Sequence, residues 1–294
     1  MTPYRFASLT SAVADRESPL RQYLDRAFPH TRALQTDYRT RCGPLLVPGG
    51  TSDPATIGTA FDVMLRFALD PSHEPVLATL AFGGHPQELA VVTEVGRVAR
   101  AAAAGDDLVG LARASWALAL CVAVYRQGLQ PDSAVTALLE RGQFTAPILL
   151  SLASRDAIRQ LHELHAVAQS HLIPAIRPVG RLELGPTFEA SALCPADADL
   201  IADGTLIDLK TRLGVVPAGS TARRDRLKVT DIYQVLAYTL FDRSDAHRID
   251  ALGIYSARYG LLVTWPLADM LATLAGQPVD LQAAREHVWR LLGG

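Results

Sequence analysis

Residues 199–211 read Asp199-Leu-Ile-Ala-Asp-Gly-Thr-Leu-Ile-Asp208-Leu-Lys210-Thr211. The Asp203-Gly204 pair sits between two apolar runs and signals a two-residue hairpin, because both central residues of such a turn must tolerate positive φ. Taking that pair as the turn fixes the register: Ala202 faces Thr205, Ile201 faces Leu206, Leu200 faces Ile207, and Asp199 faces Asp208. Two carboxylates then oppose each other with Cβ atoms about 5 Å apart. Lys210, two residues beyond Asp208, points to the same face. Ile201 and Leu206 share that face while Leu200, Ile207 and Leu209 line the other, as expected of an interior strand pair. Opposed like charges in such a place are destabilising unless something neutralises them. A hard divalent cation does so with oxygen ligands, and an adjacent ammonium can orient water and stabilise charge developing on phosphorus. The plainer alternative is a solvated hairpin end in which Asp197, opposite Lys210 in this register, pairs with it.

Downstream, the pattern predicts a helix over 230–241, with Thr230 as N-cap and Asp231 favourable in the first turn. Ile232, Val235, Leu236, Thr239 and Leu240 form its apolar stripe. Gln234 and Tyr238, spaced i, i+4, share another face and can hydrogen-bond a phosphate or a water; an ordinary polar face is the alternative. Between hairpin and helix, Arg223, Arg224, Arg226 and Lys228 put four cations on one loop, interrupted only by Asp225. Such a loop suits a polyanion, and equally fits a solvated charged loop.

Further outward the texture divides. Before Pro174 it is helical: Ser11–Phe28 ends at Pro29, 43–56 is a Gly/Pro/Ser/Thr loop, Gly58–Leu69 is a one-sided helix, and 76–171 is helical with breaks at Gly83-Gly84, Gly105 and Pro131. After Pro174 come short extended stretches at Arg181–Leu184 and Thr187–Ser191, the hairpin, the helix, strands at Ala251–Tyr255 and Leu261–Trp265 joined at Tyr259-Gly260, and two closing helical patterns. Strands after a helical region, with a helix between the third and fourth, indicate an α/β or α+β core.

Composition sets the outer bounds. A 294-residue chain, 49% hydrophobic and 20% charged, is that of a folded protein. A formal net charge of −2 excludes a generally basic surface, so contact with nucleic acid needs a local patch. The apolar run Ala114–Tyr125 is shorter than the roughly 20 residues of a bilayer span, no apolar stretch follows Arg5 as in a secretory signal, and the expectation is no membrane association. Cys42, Cys121 and Cys194 are odd in number and scattered, which fits a reducing, cytoplasmic setting.

Taken together, the hairpin residues resemble the D…(D/E)xK signature of the PD-(D/E)XK nuclease superfamily. Gln234-Val-Leu-Ala-Tyr238 resembles the QxxxY motif of its RecB-like branch. Gly58-Thr59-Ala60-Phe61-Asp62 is similar to the branch's G-T-x-x-H, with aspartate where the family has histidine. The resemblance covers roughly residues 57–70 and 179–266. It implies an α/β fold with a restriction-endonuclease-like αβββαβ core, a mixed sheet and a large helical insertion. The chain would be one domain: core at about 57–70 and 176–266, helical N-terminal region 1–56, insertion 71–175, and C-terminal helices 267–294. It implies a Mg2+- (or Mn2+-) dependent DNA nuclease of repair or of defence against foreign DNA, working with a partner protein of such a system; the alternative is a catalytically inactive module of that fold. The metal would be held by Asp199, Asp208, the carbonyl of Leu209 and, as a further candidate, Asp62. Lys210 would be catalytic, with Gln234 and Tyr238 bracing the site and Arg223, Arg224, Arg226 and Lys228 on the DNA. Iron–sulfur members need four cysteines, so no cluster is expected. Glu189, on the preceding extended stretch, is a candidate to support the carboxylates. His162-Glu-Leu-His165 is one residue short of a zinc-protease helix, and neither a phosphate loop nor a Gly-x-Ser-x-Gly elbow is present.

Overall fold

A computed structural model describes residues 4–177 and 179–294; Pro178, inside the expected core segment, lies outside the described residues. The chain is mixed α/β and divides into two compact units. The first comprises 1–44, 174–210 and 214–294, and the second 45–173 with Thr211–Leu213.

The first unit holds a five-stranded mixed sheet: β1 (Leu182–Leu184), β2 (Leu200–Ala202), β3 (Thr205–Lys210), β4 (Ala251–Ser256) and β5 (Leu261–Pro266), in that spatial order. Neighbouring strands are antiparallel except β3 and β4, which are parallel. A parallel pair needs a crossover, and helix Val229–Phe241 supplies it. The hairpin register is the expected one, Ala202 with Thr205, Ile201 with Leu206 and Leu200 with Ile207. Asp203 (φ 44°) and Gly204 (φ +81°) both take positive φ at the turn. The Asp203 carboxylate accepts the Gly180 and Arg181 N–H groups, which ties β1 to the turn. The crossover helix lays Val235, Leu236 and Leu240 over Ile201, Leu206, Leu252, Ile254 and Val263.

Ahead of the sheet, this unit begins with α1 (Leu9–Ala14), α2 (Pro19–Ala27) and α3 (Arg32–Arg41). The expected single helix over 11–28 is two, separated before Pro19, which takes the first position of the second. The extended reading of Thr187–Ser191 is corrected: only Thr187 bridges, to Asp197, and Glu189–Ala192 is a 3-10 turn. Ser191 explains it, since its hydroxyl accepts the Phe188 N–H and donates to the Ala196 carbonyl, offering the backbone a local alternative to a strand.

The second unit is helical: α4 (Pro54–Leu69), α5 (Val76–Leu80), α6 (Pro86–Ala104), α7 (Leu108–Gln127), α8 (Ala134–Glu140), α9 (Ala146–Ser151) and α10 (Arg155–His171). The short α11 (Ile173–Ile176) leads back to the sheet unit, whose helices after β3 are the crossover α12, then α13 (Leu267–Ala275) and α14 (Leu281–Leu292). α4 packs on α7 and α10, so residues 57–70, expected with the sheet core, fall in the helical unit. Within that unit Gly58 lies so close to Thr211 that an added Cβ would stand 3.1 Å from its Oγ1. α7 extends the apolar run to 20 residues, one helix long and apolar enough by length and composition to cross a membrane; 56% of its most apolar window is buried among its neighbours.

Candidate active site

β2 and β3 carry Ile201, Leu206, Asp208 and Lys210 to the sheet face that α12 covers, because side chains alternate along each strand. Asp208 is 2% exposed. Its Oδ2 lies 2.6 Å from Lys210 Nζ, and the Lys210 side chain keeps 17% of its surface open. Asp199, the residue before β2, turns its carboxylate towards β3 and accepts the Leu209 N–H at 2.5 Å. The two aspartates and the lysine therefore gather at one end of the hairpin, with the ammonium against Asp208.

α12 closes the arrangement from above. Lys210 Nζ donates to Gln234 Oε1 at 3.1 Å, Gln234 Nε2 donates to Tyr238 Oη at 2.8 Å, and Tyr238 Oη donates to the Asp197 carbonyl at 3.0 Å. The directions are forced: a lysine only donates, so the amide oxygen must face it and the amide nitrogen must face the phenol. Gln234 and Tyr238 thus form one hydrogen-bonded chain starting at Lys210.

Electrostatics fix the protonation of both ends. Burial acts to lower the Lys210 pKa, but the charges of Asp208, Asp231 and Asp199 outweigh it, and the ammonium is held above its ordinary value. Tyr238 is pushed well above the ordinary phenol value, first by burial and then by Asp208 and Asp199. Lys210 is therefore a fixed cation and Tyr238 a permanent donor.

Asp231 is a site residue the sequence reading used only as a first-turn acid. It is 6% exposed, its Oδ1 lies 3.9 Å from Lys210 Nζ, and its Oδ2 accepts the Lys228 N–H. That last bond moves the N-cap from Thr230 to Lys228, since an acidic residue at the third helical position reaches back to cap the chain. The available signal was spacing, because Asp231, Gln234 and Tyr238 recur at three and four residues on one helix face.

The other expected residues lie as follows. Asp62, on α4 in the helical unit, is ion-paired with Arg66 at 2.8 Å. Glu189 does not stand on a strand: its carboxylate accepts the Arg243 and Ser244 N–H groups and the Ser244 hydroxyl, beyond the C-terminal end of α12. Arg223, Arg224, Arg226 and Lys228 are exposed while Asp225 is buried. Backbone bonds between Val215 and Arg224 in both directions close this loop on itself. His165 is buried against Gln169, and the three cysteines are free thiols.

Among the described residues, no three of His, Cys, Asp and Glu are grouped to hold a metal ion. Asp199 and Asp208 make a two-carboxylate oxygen donor set. That set fits Mg2+, which keeps several waters and takes one or two carboxylates, and not the closed nitrogen and sulfur shell of structural zinc. No family model, curated protein or solved structure matches this chain.

Proposed function

We propose that this protein is a metal-dependent phosphodiesterase acting on DNA, built on a restriction-endonuclease-like core. The observation that carries the reading is the continuous assembly of Asp199, Asp208 and Lys210 on one sheet face, locked to Gln234 and Tyr238 of the crossover helix. The order of three antiparallel strands, a crossover helix and a parallel fourth strand supports the βββαβ part of such a core. Buried carboxylates beside a fixed ammonium suit a reaction in which charge builds on a phosphoryl oxygen.

A divalent cation at Asp199 and Asp208 would neutralise their charge and acidify the attacking water. The chain's own residues do the rest. Asp199 is oriented by the Leu209 N–H, and Asp208 fixes the Lys210 ammonium. Lys210 orients the nucleophile and meets the developing negative charge. Gln234 accepts one ammonium hydrogen and so aims the others, while Tyr238 fixes the amide. Lys210 and Lys228 are the only lysines among 28 lysine and arginine residues. A compact ammonium, unlike a planar guanidinium fork, places a point charge beside the carboxylates.

The deciding experiment is DNA cleavage with Mg2+ or Mn2+ by wild type, Lys210→Ala and Lys210→Arg. Both variants are expected to lose about 10²–10³-fold in rate, the scale of one charge-stabilising donor; cleavage by Lys210→Ala at the wild-type rate overturns the assignment. A second reading, a catalytically inactive module of the same fold, draws support from the Asp62–Arg66 ion pair, which neutralises the aspartate standing where the resembled motif has histidine. Calorimetric titration with Mn2+ separates the two: saturable binding that depends on Asp199 and Asp208 belongs to the first alone.

A further inference from the structure

His247 lies in the connection between α12 and β4 and presents both ring nitrogens to acceptors. Nδ1 is 2.7 Å from Glu183 Oε2 on β1, and Nε2 is 3.1 Å from the Thr187 carbonyl. A neutral imidazole carries one hydrogen and can satisfy only one of them; its other nitrogen would turn a lone pair on a carboxylate or a carbonyl. The imidazolium fills both. The ring is also held from other sides: it meets Phe188 edge-on at 5.0 Å, and the His247 backbone N–H donates to Asp242 Oδ2 at 3.2 Å. The charged groups around it are Glu183 on β1, Arg181 just before β1 at 3.0 Å from Glu183, and Asp242 at the end of α12. Arg285 of α14 completes the set, 3.7 Å from Asp242 and 2.8 Å from Asp245.

The segment that His247 grips runs beside the candidate site. After β1, the Gly185 N–H donates to the Asp199 carbonyl at 2.9 Å, the Ala198 N–H donates to the Pro186 carbonyl at 3.0 Å, and Thr187 bridges to Asp197. Residues 185–188 thus form a strap along the backbone of 197–199. Asp199 brings one of the two candidate metal-binding carboxylates, and the Asp197 carbonyl is the acceptor on which the Lys210–Gln234–Tyr238 chain ends. Phe188 touches both sides, its ring 5.7 Å from that of Tyr238 as well. Loss of either His247 bond therefore frees the strap where it lies against Asp197.

We infer that His247 is a protonation-dependent clasp that, through the 185–188 strap, positions Asp199 and the end of the Lys210–Gln234–Tyr238 chain. Because both acceptors hold the imidazolium form, the clasp is complete at low pH and opens as pH rises. Its bearing on chemistry rests on the phosphodiesterase reading, whereas its test uses neither metal nor DNA, so the two can fail separately. The 15N-labelled full chain is followed by NMR from about pH 5 to about pH 8, the span in which imidazole side chains change charge. One reading is the number of ring hydrogens on His247, whose signals are assigned by their absence from His247→Gln. The other is the hydrogen-exchange protection of the Gly185 and Ala198 amides, corrected for intrinsic rate. The Asp250 amide, bound to the Gly204 carbonyl at the hairpin turn, is the control for global opening. In wild type the imidazolium is expected at the acid end, and strap protection should fall about tenfold or more as pH rises, the scale of one hydrogen bond to a charged group, with Asp250 unchanged. His247→Gln should show the low protection at every pH. Glu183→Gln separates charge from shape, since its amide can donate to a bare ring nitrogen as well as accept from an N–H; strap protection should stay high and lose its pH dependence. A single ring hydrogen on His247 throughout, strap protection in wild type that ignores pH, or a fall of the same size in either variant or at Asp250 overturns the inference.

Discussion

Lys210 is the residue on which charge at the site turns. Its ammonium is desolvated, which by itself would favour the neutral amine, yet three aspartates hold it charged. Because its folded-state pKa is raised, the stability it contributes is complete below the unfolded value of about 10.4 and is lost as pH rises through the folded value. The Tm difference between wild type and Lys210→Met should therefore be constant from neutral pH to about pH 10 and narrow only above it; a difference that already shrinks near neutrality would mean the ammonium is not held. At this scale the sequence was largely sufficient. Asp208 and Lys210 share a face because strands alternate, and Gln234 and Tyr238 share one because helices turn in 3.6 residues. What it could not supply was the reach between elements. Glu189 is bound to Arg243 and Ser244 although alternation along a supposed strand aimed it at the carboxylates. The bonds of His247 to Glu183 and Thr187 join residues with no common periodicity at all.

The hairpin is the element that makes the site, and its turn leaves room for little but glycine. A Cβ at Gly204 would lie 2.9 Å from Asp250 Oδ1 and 3.0 Å from the Arg248 carbonyl, at a φ of +81°. Gly204→Ala should cost about 1–2 kcal/mol from backbone conformation alone, with a further penalty from those contacts, and should lower Tm by several degrees in a thermal melt. An unchanged Tm would show that the turn relaxes freely. The hairpin could be read because Asp-Gly between apolar runs admits few conformations. Thr187–Ser191 could not, because a side chain that bonds its own backbone makes the same residues serve a turn. The start of α12 lies two residues before the expected one for a related reason: the Asp231 carboxylate reaches back to accept the Lys228 N–H, and the hydroxyl of Thr230 does not supply the cap.

Across the whole molecule, helical periodicity gave the long helices while the grouping of helices into units escaped it. α4 carries a motif that suggested membership of the sheet core, yet its apolar face, Phe61, Met64 and Leu65 included, is buried in a unit with α7 and α10. Which surface an amphipathic helix faces is decided by tertiary partners that the period alone does not name. Metal linkage is testable at this scale, because a cation that binds only the folded chain raises its Tm by mass action. Mn2+ should raise the Tm of wild type and leave that of Asp199→Asn unmoved; an equal rise in both would locate the bound ion elsewhere. The division of the chain also bears on how the protein could be cut or recombined. The polypeptide passes between its units after residues 44, 173, 210 and 213, and the last excursion, three residues long, begins directly behind Lys210. Splicing out 45–173 would strand Thr211–Leu213 without their own neighbours, one peptide bond from the ammonium. Removing the helices therefore takes away the packing of the three residues that follow Lys210, and a shortened chain would not be a neutral test of the remainder.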